Sequence, residues 1–159
     1  MKFTILAIGK IKEKWMRDGI SEYVKRIAPM AKIEFIVKDE EKMPEHPSPA
    51  LKEKVMEEEG EKLLKYLKGD DFLILLDLKG NPLTSEGLAE VLQKKMVGGI
   101  SHFSFMIGGP FGNGENIRKR ADLKISISAM TFTHQMARLI LTEQLYRAMK
   151  IMRHEPYHL

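Results

Sequence analysis

Residues whose types and spacing could support chemistry gather between Phe105 and Met149, in the stretch FMIGGPFGNGENIRKRADLKISISAMTFTHQMARLILTEQLYRAM. Gly109 and Gly114 have the G-x-x-x-x-G spacing of a phosphate loop, but Glu115-Asn116 stand where lysine and a hydroxyl residue would be needed to hold phosphates and magnesium. No G-x-G-x-x-G register fits either, so the glycines do not point to a nucleotide phosphate site. No histidine and carboxylate cluster has the spacing of metal ligands. What remains is a Gly108-Gly109-Pro110 turn, a loop ending in Ala129-Met130-Thr131-Phe132-Thr133, and a long helical pattern that begins at His134. His134 and Glu143 stand nine residues apart on that pattern. On a regular helix this sets them roughly 180° apart and roughly 13 Å along the axis. One helix therefore cannot aim both at one substrate atom. Either His134 lies in the cap before the helix, or the two serve different sites, or a site is shared between subunits. Glu143 and Arg147, spaced i, i+4, are placed to pair with each other.

The elements that must position these residues alternate between strand and helix. Lys2 to Ile8 reads as a first strand closed by Gly9, and Glu13 to Ile27 follows with apolar residues at helical spacing. Ala31 to Val37 alternates Ile33, Phe35 and Val37 with charged neighbours, the pattern of a strand at an edge or with one solvated face. Asp39 to Pro49, with three prolines, reads as a connector. Lys52 to Tyr66 resumes a helical period despite Gly60. Phe72 to Leu76 is a continuous apolar run, expected to be the central strand, and Asp77 to Pro82 reads as a turn. Thr84 or Ser85 caps a helix through Met96, and two further strands are expected at Ser104 to Ile107 and Leu123 to Ser128. Five strands alternating with helices predict an α/β fold with a parallel sheet, whose strand-to-loop exits form the ligand-binding edge.

A chain of 159 residues with 43% hydrophobic content is sized for one domain, 1–159. The 26 basic and 22 acidic residues leave a net charge of +4, compatible with RNA but far from the excess of a purely electrostatic binder. The cluster Lys10, Lys12, Lys14 at the first turn is most simply a solvated face, with the alternative that, beside a ligand-binding edge, it holds RNA phosphates. Cysteine is absent, and the run Phe3 to Ile8 is too short for a signal-peptide core or membrane span, which predicts a cytoplasmic protein with no membrane partner.

The order IGGPFG, then SISAMTFTHQMARLILTEQLYRA, then the terminal HEPYH resembles the small SPOUT-class (alpha/beta-knot) RNA methyltransferases, specifically the ribosomal large subunit methyltransferase H family. The resemblance runs from KFTILAIGK through LLDLKG to the last residues. It implies a parallel-sheet SPOUT alpha/beta fold with a C-terminal trefoil knot, a departure from the rule that chains avoid threading loops. It implies S-adenosyl-L-methionine as cofactor, held by Leu76, Gly108 and the segment Ile127, Ser128, Ala129, Met130, Thr131 and Phe132. These map onto the three late strand exits, where small and apolar residues let backbone groups read an adenine edge.

The acceptor implied is N3 of a pseudouridine in 23S rRNA, within the assembled ribosome. That nitrogen carries a proton, so a group must accept it. His134 and Glu143 are the polar candidates, and the tail is expected to add Tyr157 for stacking and His158 for phosphate or proton transfer. Arg138, Arg147 and Arg153 are the basic residues expected to face RNA. A homodimer with a composite site is implied, and the helix itself agrees. Met136, Ala137, Leu139, Ile140, Leu141, Leu145, Tyr146 and Met149 cover most of its circumference, which suggests burial against a partner. Two positions depart from the family pattern: Phe111 after Gly108-Gly109-Pro110, and Thr133 before His134 where proline is common. The alternatives are the same chemistry on another RNA, or a non-catalytic ribosome-binding factor.

Overall fold

The structure is a computed structural model that describes residues 1–159. Its elements run β1 Lys2–Ile8, α1 Lys14–Ile27, β2 Lys32–Lys38, α2 Pro49–Leu64, β3 Phe72–Pro82, α3 Ser85–Val97, β4 His102–Ile107, α4 Glu115–Arg120, β5 Leu123–Ser126 and α5 His134–Met152. The five strands form one sheet in the order β2-β1-β4-β3-β5, with every pairing parallel. Alternation along each strand splits the core into two layers. Phe3, Ile5 and Ala7 of β1, Ile74 and Leu76 of β3, and Phe103, Phe105 and Ile107 of β4 meet Ile27, Leu88, Leu92, Leu141, Leu145 and Met149 from α1, α3 and α5. On the opposite face Leu6, Ile8, Leu73, Leu75 and Met106 pack against Leu63 of α2 and Ile117 of α4.

Several expectations change here. The central strand is β4, with β3 beside it. A run buried on both faces marks any interior strand, and both strands qualify. The expected turn over Asp77 to Pro82 is part of β3: Leu76 pairs with Ile125, and Asn81 pairs with the same residue after four residues that bulge out of register. Gly80 permits this return. A Cβ there would lie 2.6 Å from the Ile125 carbonyl carbon, so a backbone must pass where a side chain would be. The connector ends one residue earlier than read, because Ser48 accepts the Leu51 amide as N-cap and Pro49 opens α2. The last strand stops at Ser126, which leaves Ile127 to Thr133 as loop, and α4 was not foreseen because six residues are too few to display a period. Helix α5 lies against both α1 and α3, and none of its residues is exposed. Its apolar circumference is therefore largely covered inside one chain, and the pattern alone does not require a partner.

Candidate active site

Three strand exits shape a cavity of about 890 Å³ at the carboxyl edge of the sheet. Leu76 ends the interior part of β3, Gly108 follows β4, and Ile127, Ser128, Met130, Thr131 and Phe132 form the loop after β5, and all of them line it. Of the residues expected to hold a cofactor only Ala129 is not in the wall. The loop is shaped locally: Ser126 Oγ donates to the Ser128 carbonyl at 2.9 Å, and the Met130 amide donates to Ser128 Oγ at 3.0 Å. Asn113 fastens the glycine turn to β3, its Nδ2 donating to the Leu76 carbonyl at 2.8 Å. Gly108 has to be glycine for this arrangement, since a Cβ would fall 2.5 Å from both Asn113 Oδ1 and the Gly112 carbonyl oxygen.

The cavity also holds a charged pair absent from the sequence reading. Arg118 Nε donates to Asp77 Oδ2 at 2.9 Å, and the Lys79 amide donates to Oδ1 at 3.1 Å. Burial alone would raise the Asp77 carboxyl, but these bonds and the guanidinium charge hold it below its ordinary value. The run of apolar residues that ends at Leu76 gave no sign of a buried carboxylate in the next position.

His134 is the first residue of α5, with Thr133 as N-cap accepting the Met136 amide through its hydroxyl at 3.1 Å. Threonine thus does capping work where the family pattern has proline. His134 lines the cavity, and its Nε2 sits 3.0 Å from Glu40 Oε1 without the alignment of a hydrogen bond. Burial pushes the imidazole below its ordinary value, and the Arg138 charge adds to this, whereas Glu40 opposes it. Glu40 comes from the segment read as a plain connector. That segment is pinned from α2: Lys62 donates to the Asp39 carbonyl at 3.2 Å and pairs with Glu41, while Glu59 Oε2 accepts the Glu41 amide at 3.2 Å.

Glu143, Tyr157 and His158 assemble elsewhere, around the middle of α5. Tyr157 Oη donates to Glu143 Oε1 at 2.9 Å, and Arg147 reaches the same oxygen with Nε at 3.1 Å and Nη2 at 2.6 Å. Arg147 Nη1 approaches His158 Nδ1 at 3.2 Å. Since guanidinium only donates, Nδ1 is the accepting nitrogen, and Nε2–H is left to donate to Glu86 Oε1 at 2.7 Å. The Tyr157 ring stacks edge-on against Tyr146 with centroids 4.6 Å apart. Burial and the bond to Glu143 push the Tyr157 phenol up, so it is held as a neutral donor. The tail is therefore docked on α5 and α3. His134 is not among these residues and the tail does not line the cavity.

The three arginines have different fates. Arg138 is 3% exposed and donates Nη2 to the Gly9 carbonyl at 2.7 Å, and burial lowers it to about 10. In the single chain it is out of reach of an RNA backbone, which the alternation of α5 residues did not reveal. Arg147 is tied to Glu143, and Arg153 is exposed and pairs with Glu155 at 2.6 Å. No group of three or more histidine and carboxylate side chains is arranged to hold a metal, and no helix is long and apolar enough to cross a membrane.

Over residues 1–158 the chain matches the family model described as "Predicted SPOUT methyltransferase". It is 48% identical to the ribosomal RNA large subunit methyltransferase H of Carboxydothermus hydrogenoformans and 49% identical to that of Halothermothrix orenii. A putative ribosomal RNA large subunit methyltransferase H of Methanococcus maripaludis is 46% identical. Each alignment spans 158 residues and 99% of both chains.

Proposed function

The chain belongs to the SPOUT methyltransferases of the ribosomal RNA large subunit methyltransferase H family, and from that premise we propose that it methylates N3 of a pseudouridine in 23S rRNA on the assembled 70S ribosome, using S-adenosyl-L-methionine. The observation that supports this reading best is the convergence of three strand exits on one cavity that also contains His134. The cavity volume lies within the roughly 300–1,000 Å³ of small-molecule sites. Its walls suit the cofactor: Leu76, Ile107, Ile127 and Ala137 offer apolar surface for an adenine ring, the loop backbone offers edge donors and acceptors, and Asp77 with Arg118 offers both signs of charge. When bound, S-adenosyl-L-methionine supplies a methyl group activated by its sulfonium.

The chain's own residues supply position and proton transfer. Because burial keeps His134 neutral to lower pH than a free imidazole, it can accept the N3 proton at neutral pH. Glu143 positions the tail: it accepts from Tyr157 and Arg147 together, so its carboxylate is occupied. Tyr157 offers a stacking face, and His158 an accepting Nδ1 once Arg147 releases it. The two groups are separated along one helix, His134 at its start and Glu143 at its middle, so a cytoplasmic homodimer in which one subunit's tail faces the other's cavity completes the proposal, together with a C-terminal trefoil knot and a single domain over 1–159.

The test is transfer of labelled methyl to 70S ribosomes, isolated subunits and free 23S rRNA from a strain lacking the enzyme, with the product base identified by mass spectrometry. Label on pseudouridine N3 in 70S particles is expected. Label on another RNA discards the substrate and keeps the chemistry, and cofactor binding without any label discards the enzyme reading.

A further inference from the structure

Trp15 is the only tryptophan of the chain, and it is 57% exposed in the first turn of α1. An indole left in water forgoes the burial that large aromatic side chains usually gain on folding. Trp15 is not itself in the wall of the cavity, but its chain neighbours Lys12, Glu13 and Met16 all are, so the turn that carries it borders the mouth. The turn that carries it is fixed. Arg17 Nη1 donates to the carbonyls of Ile11 at 3.0 Å and Lys12 at 2.8 Å, and the Lys12 amide donates to Gln135 Oε1 at 3.0 Å, next to His134.

The same mouth exposes Met130 and Phe132, and Lys79 and Arg118 stand in its wall. Lys10, Lys12 and Lys14 extend the positive charge along the turn. Lys14 pairs with Asp18 at 2.6 Å and Lys10 lies 4.0 Å from Asp39, but both pairs are solvent-exposed and so worth little, while the Lys12 ammonium has no acidic partner. Aromatic faces interleaved with lysines suit an unstacked base and its flanking phosphates. A protein partner fits less well, because lysine is depleted where protein interfaces bury surface.

We propose that Trp15 with Lys10, Lys12 and Lys14 forms the docking surface for ribosomal RNA beside the cavity, the indole stacking on an unpaired base near the target and the lysines holding adjacent phosphates. The inference rests on the rRNA methyltransferase reading and names the side from which the substrate enters.

Tryptophan emission of the wild-type protein reports Trp15 alone. Titration with a single-stranded decauridylate is expected to quench it saturably, with an affinity that falls as salt rises. Trp15→Ala is expected to weaken binding of the fluorescein-labelled decamer roughly 5–150-fold, the worth of one stacked base, and Trp15→Phe to recover most of it. In methyl transfer to 70S ribosomes, Trp15→Ala should raise KM for ribosomes while kcat and the affinity for S-adenosyl-L-methionine stay unchanged. Unquenched emission, an unchanged KM, or emission that shifts to the blue with protein concentration and ignores RNA overturns the inference, the last result assigning Trp15 to a second copy of this chain. Failure of the wild-type enzyme to label any rRNA is a separate result that refutes the functional reading itself.

Discussion

Gly9→Ala tests the environment of His134 more sharply than a change to the histidine. Gly9 ends β1 at φ +87°, a region in which an L side chain costs about 1–2 kcal/mol. The new methyl would lie 2.5 Å from Glu40 Oε1 and 2.8 Å from His134 Nε2, and the Gly9 carbonyl is also the acceptor for the buried Arg138 guanidinium. Glu40 is partly exposed and can swing aside; the His134 side chain is only 13% exposed and cannot. Adding a partial loss of the charged hydrogen bond, itself worth about 1.5–3 kcal/mol, gives a destabilisation of about 2–3 kcal/mol. For a chain of this length that lowers Tm by roughly 4–12 °C. Urea unfolding should show a lower midpoint with an unchanged slope. At a temperature where the variant is fully folded, single-turnover methyl transfer should fall tenfold or more, because a displaced base forfeits part of the roughly 10²–10⁴-fold that general acid–base catalysis contributes. A variant within about 0.5 kcal/mol of wild type, or one that is destabilised yet transfers methyl at the wild-type rate, refutes the reasoning.

Activity against pH should follow His134. Burial depresses its pKa, so the proton-accepting form persists to lower pH, and the acid limb of kcat/KM should fall below the ordinary histidine value of about 6.5. Glu40→Gln removes the charge that opposes the depression and should move the limb further toward acid; a move toward alkaline pH contradicts this assignment. Tyr157→Phe removes the bond to Glu143 and keeps the ring against Tyr146, so chemical denaturation should register a loss of about 0.5–1.5 kcal/mol, and Tyr157→Ala a larger one; equal losses would mean the stack carries nothing. Gly80→Ala sets a methyl against the Ile125 backbone, which has no flexible side chain to yield, and should cost about 1–3 kcal/mol with loss of amide protection around the β3–β5 return, as hydrogen exchange would measure.

Parallel strands and amphipathic helices were legible because their periods are long enough to read. The Thr84 cap and the edge character of β2 follow from local chemistry, and both are present. What stayed hidden depends on contacts between distant segments. Nothing around Gly80 says that it must let β3 fold back onto Ile125, and nothing in a run of charged residues and prolines says that Glu40 will be carried to His134 by Lys62 and Glu59. Arg138 misled for the same reason: an arginine on a helix is usually at the surface, and only the convergence of α5 on the end of β1 buries it. The glycine turn reads as a ligand edge from its sequence, whereas nothing local marks Asn113 as the residue that ties it to Leu76.

Helix α5 carries one proton-handling group at its first residue and a second cluster at its middle, around Glu143, and this separation constrains the enzyme more than either group does. With a rise of about 1.5 Å per residue, the first residue of the helix and the cluster around Glu143 and Tyr157 are held apart by a packed element that cannot shorten. Arg147 and Tyr157 occupy one oxygen of Glu143 and Gln144 the other, and Arg147 with Glu86 occupies both nitrogens of His158. The tail is thus ordered on its own chain without access to its own cavity. If the tail takes part in transfer, it must act on a cavity belonging to another copy, so mixing two inactive variants decides the matter: His134→Ala and a chain truncated after Arg153 should regain activity together in one of the two site combinations of a mixed dimer. If activity does not return although mixed dimers form, the tail has no part in the neighbouring site, and His134 with the loops of its own chain must suffice.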